Sequence, residues 1–194
     1  LLNSVLAGGT SGVVGAGAVA PTDWVFGFEA TGGNITFGLA PWGTVSFLTS
    51  KSITTNRPFL QRSFAAAANT AYTLSARVGS ASGANQLLDV IEIASRPAGS
   101  TVTYAVNGVA VAGTAFPVLK PWDLISCTVQ VGATAGTMQQ RVGVGAAGSP
   151  TSTGSISLTM PQFEVGSFHT SYIPTVASQV TRAADIITIN TGAV

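Results

Sequence analysis

Tyr72-Thr73-Leu74-Ser75-Ala76-Arg77-Val78 alternates apolar and polar side chains without a break. A period of two places Tyr72, Leu74, Ala76 and Val78 on one face of an extended strand, and that face is assigned to the core. Working outward, Ser155-Ile156-Ser157-Leu158-Thr159-Met160 repeats the pattern with Ile156, Leu158 and Met160 inward. Further strands are expected at Trp24 to Phe28, Thr44 to Leu48, Leu87 to Ala94, Thr101 to Val106, Leu124 to Val131, Thr137 to Val144 and Ile186 to Ile189. Most are bounded by Gly, Pro, Asn or Ser. Val106-Asn107-Gly108-Val109 carries the Asn-Gly pair that favours a two-residue hairpin of type I′. Helical spacing is scarce; the alanine run Phe64 to Ala68 is the best place for a single turn of helix, closed by Asn69-Thr70. Many short strands without crossover helices predict an all-β fold, an antiparallel jelly-roll β-sandwich, over residues 1–194 as one domain.

Composition agrees. The chain has 194 residues, 46% hydrophobic and only 8% charged, where about 25% charged is usual. Disorder needs the opposite balance. Eight Lys+Arg against seven Asp+Glu give a formal net charge of +1 and no basic stripe, so nucleic acid is not an expected partner. A mean hydropathy of +0.45 invites a membrane reading. Gly8-Gly9-Thr10-Ser11-Gly12 breaks the first uncharged run, and Pro150 with many Ser, Thr and Gly breaks the run from Val142 to Phe163. Neither reaches the ~20 apolar residues of a span. The opening run also lacks a basic segment, and Pro21 follows Ala18 to Ala20, unlike an export signal. Leu1 in place of a starting Met leaves open that residues precede it. The polar cover is mostly neutral Ser, Thr, Asn and Gln, and a net charge near zero promotes association. A surface that sits against copies of itself or against other proteins is therefore expected; a monomeric extracellular β-domain is the alternative.

Catalytic groups are few. His169 is the only histidine, and no nucleophile-elbow pattern surrounds any serine. Cys127, between Ile125 and Val129, reads as a small buried hydrophobe. A single cysteine forms no internal disulfide, which fits synthesis in a reducing compartment and does not bar work outside a cell. Asp89 and Glu92, three apart, fall on opposite faces of a strand, and Asp23, Glu29, Asp123, Glu164 and Asp185 are read as turn, cap or ion-pair residues. No metal-ligand spacing and no Asp-x-Asp-x-Asp run is present, so no metal, no cofactor and no enzymatic activity are expected. Among Trp24, Trp42, Trp122, Tyr72, Tyr104 and Tyr172, the candidates for stacking on a sugar are Trp42 and Trp122. Each follows a proline at a strand entrance, in Pro41-Trp42-Gly43 and Pro121-Trp122-Asp123. The competing reading has both tryptophans closing the end of the core.

The C-terminal run Pro161-Gln162-Phe163-Glu164-Val165-Gly166-Ser167-Phe168-His169-Thr170-Ser171-Tyr172-Ile173-Pro174-Thr175, then Val180-Thr181-Arg182-Ala183-Ala184-Asp185, resembles a signature of bacteriophage virion proteins. In that family a last jelly-roll strand ending in Gln-Leu-Glu-x-Gly precedes Thr-Ser-Tyr-Ile-Pro-Thr and Thr-Arg-Ala-Ala-Asp; Phe163 here replaces the usual Leu. Leu1-Leu2-Asn3-Ser4, the Gly-rich loop, Pro21-Thr22-Asp23-Trp24 and Tyr72 to Ala76 resemble the family's opening and middle strand. The resemblance implies a fold similar to carbohydrate-binding modules (galactose-binding-like) and a non-enzymatic role in head fibres or spikes, capsid decorations or tail fibres. It further implies a protein made in the host cytoplasm and carried on the virion surface, self-associated as a trimer or larger and in contact with capsid or tail proteins. A tail-fibre or receptor-binding module recognising a host surface glycan is the alternative. Residues 161–194 are expected to form the last strand and a strap, with Pro161 ending the strand. Tyr172 and Ile173 pack back on the sandwich, Pro174 keeps the chain extended, and Arg182 pairs with Asp185. The strap is expected to cover a sheet edge or reach a neighbouring subunit.

Overall fold

The computed structural model describes residues 6–27, 33–39, 45–51, 57–82, 89–112, 118–147 and 154–175. These residues form twelve strands and no helix: β1 (Gly12–Val13), β2 (Val25–Phe26), β3 (Asn34–Leu39), β4 (Val45–Lys51), β5 (Phe59–Ala66), β6 (Ala71–Ser82), β7 (Ile91–Ala94), β8 (Thr101–Val106), β9 (Val109–Val111), β10 (Leu124–Gln130), β11 (Gly136–Gly143) and β12 (Gly154–Val165). They make an eight-stranded sheet in the order β1-β3-β4-β12-β6-β10-β8-β9 and a four-stranded sheet in the order β2-β5-β11-β7. All strand pairs are antiparallel.

The core lies between the sheets. The large sheet contributes Leu74, Ala76, Val78, Ile125, Cys127, Val129, Ile156 and Leu158, and the small sheet Leu60, Ile91, Ile93, Met138 and Val142. Burying an aliphatic side chain of this size contributes about 2 kcal/mol, so the alternation of β6, β10 and β11 is what brings the sheets together. Tyr72 stacks on Phe163 at 5.7 Å and Phe64 tilts onto both rings, closing one end. Cys127 Sγ accepts the Ile93 N–H at 3.3 Å. Ile93 lies on an edge strand, so this bond ties one sheet to the other and gives the buried thiol a structural task.

Several expectations are corrected. Phe64 to Ala66 are the end of β5, not helix. The Phe64 ring is claimed by Tyr72 and Phe163, and the chain turns only at Asn69, at a φ of 55°. Packing overrides the helical preference of alanine here. Asp89, at a φ of 47°, precedes β7 and does not share a strand with Glu92. Pro161 does not end β12, which runs on to Val165. Its pairing with β4 stops at Thr159, and its register with β6 shifts between Thr159 and Gln162. Proline is tolerated at such a bulge because no ladder bond is asked of it. The hairpin at Asn107-Gly108 is as expected, both residues having the positive φ, 51° and 81°, that a type I′ turn requires. β5 carries no clean alternation and went unpredicted; β3 alternates, with Ile35, Phe37 and Leu39 at a spacing of two, and was missed all the same.

Candidate functional site

β12 continues into the strap. Gly166, at a φ of 140°, turns the chain and donates its N–H to Ala71 O at 2.9 Å, while Thr73 Oγ1 donates to Gly166 O at 2.8 Å. The chain then crosses the outer face of the large sheet and is held by two side chains of β12 that alternation points outward. The Gln162 amide donates to Ser171 O at 3.2 Å and to Thr170 O at 3.4 Å, and its carbonyl accepts the Ile173 N–H at 2.7 Å. The Glu164 carboxylate accepts the Thr170 N–H at 2.9 Å and the Thr170 hydroxyl. The described strap thus hydrogen-bonds to β12, an interior strand, not to an edge of the sheet.

This cover explains why β6 is buried on both faces: Thr73 is 1% and Ser75 4% exposed, although both point away from the core. Strap and sheet leave a cleft of about 400 Å³ between them. Its floor is Ser75 and Arg77 of β6, Leu124 of β10, and Met160 and Gln162 of β12; its wall is His169, Thr170, Ser171 and Tyr172. Met160 adopts a φ of 52° at the bulge, the kind of local distortion that re-aims a side chain. Among the described residues no carboxylate lines the cleft.

Trp122 adjoins this site through Arg77. The Arg77 guanidinium lies 5.7 Å from the centre of the indole and donates from Nη1 to Trp122 O at 2.9 Å. Trp122 is 45% exposed, so it does not close the core, whereas Trp24, at 4%, is a core residue. A φ of 73° is costly for an aromatic residue and needs support. The support is dense. Trp122 N–H donates to Val78 O at 2.7 Å, and Val78 N–H to Asp123 O at 2.9 Å. The Asp123 carboxylate accepts the Lys120 N–H at 2.7 Å and the Asn107 amide at 2.8 Å. The indole is therefore presented by a rigid loop.

Of the other residues singled out from sequence, Tyr172 and Ile173 of the strap are half-buried and Pro174 is exposed. Trp42, Arg182 and Asp185 lie outside the described residues, as does the strand expected at Ile186 to Ile189. Cys127 is fully buried, and desolvation pushes its thiol up to about 12. Tyr104, facing Cys127 across the β8–β10 pair, is raised well above the usual phenol range, again chiefly by burial. Glu92 pairs with Arg96 at 3.2 Å and with Arg141 at 3.4 Å. Sequence reasoning missed Gln162 and Glu164 as the strap's clamps and Arg77 and Ser75 as the cleft floor. Two polar side chains at a spacing of two, in the otherwise apolar stretch Met160 to Val165, were the available signal.

Among the described residues no three His, Cys, Asp or Glu cluster as a metal site, and no helix is long and apolar enough to cross a membrane. Set against protein-family models, curated proteins and solved structures, the chain finds no match.

Proposed function

We propose that the chain is a non-enzymatic bacteriophage virion structural protein displayed on the particle surface, a capsid decoration or head-fibre protein built on a jelly-roll sandwich. The observation that carries this reading is the strap. Gln162 and Glu164, which belong to the strand part of the virion-protein signature, hydrogen-bond to Thr170, Ser171 and Ile173, which belong to its second part. The described residues of that C-terminal signature, 161–175, are thus held together as one structural unit. Val165 and Phe168 stand exposed at the start of the strap, and with few charges on the chain they suit contact with copies of itself, as a trimer or larger, or with capsid or tail proteins. The non-enzymatic part is supported by Cys127, whose thiol is buried, protonated at neutral pH and engaged with Ile93.

Immunogold electron microscopy of the phage, with antibody raised against this chain, is the test. Label spread over the capsid is the expected result; particles without label would overturn the reading. Label confined to the tail tip would favour a second reading, a receptor-binding module for host surface glycans. That reading has its own observation in the exposed indole of Trp122 beside an open cleft.

A further inference from the structure

The geometry points to the cleft between strap and large sheet as a subsite for the carboxylate-bearing unit of an acidic saccharide, with Arg77 as the selecting group. This rests on the glycan-recognition reading above and adds the class of sugar. Three features converge. First, Arg77 contributes a full positive charge to a cleft that no carboxylate among the described residues lines. Its interactions among the described residues are the Trp122 carbonyl and the Trp122 ring, which leave Nε and Nη2 without a hydrogen-bond partner. A planar fork in that condition matches the two oxygens of a carboxylate. Second, Ser75 lines the cleft floor, and its hydroxyl, which has no hydrogen bond to the other described residues, opens onto the cleft rather than being sealed in. A hydroxyl that can both donate and accept there suits a sugar hydroxyl. Third, the indole of Trp122 and the apolar Leu124 and Met160 offer surface to the C–H face of a pyranose, which a bare inorganic anion would not use. A volume of about 400 Å³ holds one or two sugar units.

The test is calorimetric titration of the whole chain with an oligogalacturonate and with the same oligosaccharide after reduction of its carboxyl groups. The acidic form is expected to bind about tenfold or more tightly than the neutral form, the worth of one charge-assisted pair. Arg77→Gln is expected to abolish that preference while its circular-dichroism melt stays close to the parent's. Equal affinity for the two forms overturns the inference and leaves glycan recognition standing. Binding of neither form at millimolar concentration overturns both. A preference that persists in a folded Arg77→Gln overturns the role of Arg77, and should that variant fail to fold, the two ligands on the parent chain still decide the sugar class.

Discussion

The two outer faces of the sandwich both carry arginine, in opposite conditions. On the small sheet Arg141 and Arg96 share the Glu92 carboxylate, Arg141 also meets Gln139 Oε1 at 2.6 Å, and Arg96 meets Ile93 O at 2.6 Å. Arg57 and Arg141 lie 5.3 and 5.4 Å from the centre of the buried Phe59 ring. A Cβ at Gly27 would fall 2.2 Å from the same ring, so the chain just past β2 approaches it as closely as glycine permits. Each of these guanidiniums meets a carboxylate, an amide oxygen or a backbone carbonyl, although Arg141 Nε is left without a partner among the described residues. On the large sheet Arg77 faces a cleft and, among the described residues, is answered by a carbonyl and an indole alone. The difference separates arginine used as cement from arginine held ready for a ligand.

The core between the faces sets the scale. Cys127 has its thiol raised from 9.0 to about 12, so above pH 9 the unfolded chain releases a proton that the folded chain keeps. Its contribution is therefore complete below pH 9 and is lost as pH rises to about 12. Up to about 4 kcal/mol of stability is at stake across that window. Tyr104 acts in the same direction at higher pH. Urea unfolding at pH 8, 9.5 and 11 should show the decline, and Cys127→Ala should flatten it. An unchanged slope in the variant would take the alkaline sensitivity away from Cys127 and leave Tyr104 as the core group that carries it.

Removing the small sheet's shared acid should hurt next most. Glu92→Ala leaves two guanidiniums, with side chains only 29% and 14% exposed, facing each other without a counter-charge. The expected loss lies between that of a surface pair and that of a fully buried one, about 2–3 kcal/mol in urea unfolding. A loss below about 0.5 kcal/mol would show that the cluster is solvated and that the two faces do not differ as described.

Gln162→Ala tests the large sheet's cover. The change removes the acceptor for Ile173 and the donor to Thr170 and Ser171, at an expected cost of about 1–2 kcal/mol. Hydrogen exchange at the Ile173 amide should accelerate more than exchange within β10. Equal acceleration at both would mean that the strap is integral to the core rather than laid upon it.

What the sequence disclosed of this divides along physical lines. The inward face of β6, and that of β12 as far as Leu158, was legible because alternation is local and one face is apolar; Met160, expected inward, lies at the bulge and lines the outer cleft instead. Asn107-Gly108 was legible because a two-residue turn needs only its own φ angles. That Thr73 and Ser75 are also buried was not legible. Their cover arrives from Gly166 and beyond, some ninety residues later, and nothing in Thr-x-Ser announces it. Pro161 misled because proline was taken as a terminator, when a bulge past the end of the β4 pairing gives it a place inside a strand. Trp122 was picked for its position after a proline, which is right about the loop and silent about exposure. Its partner Arg77 was passed over as one more outward residue of a strand.

Arg77→Gln carries the smallest expected effect on stability and the sharpest bearing on the contrast between the faces. Glutamine retains a donor for the Trp122 carbonyl, and the loop keeps its bonds to Val78, Asn107 and Lys120, none of which involves the guanidinium. What is lost is a partly exposed stack on the indole, worth about 0.5–1 kcal/mol. Burial of a charge in a cleft without an acid also carries a desolvation cost that the substitution removes, so the two terms oppose. A net change under about 1 kcal/mol follows, against the 2–3 kcal/mol expected for Glu92→Ala on the other side of the sandwich. Were the two variants to lose equal stability, Arg77 would be cement as well, and the cleft would lose the group that selects a carboxylate.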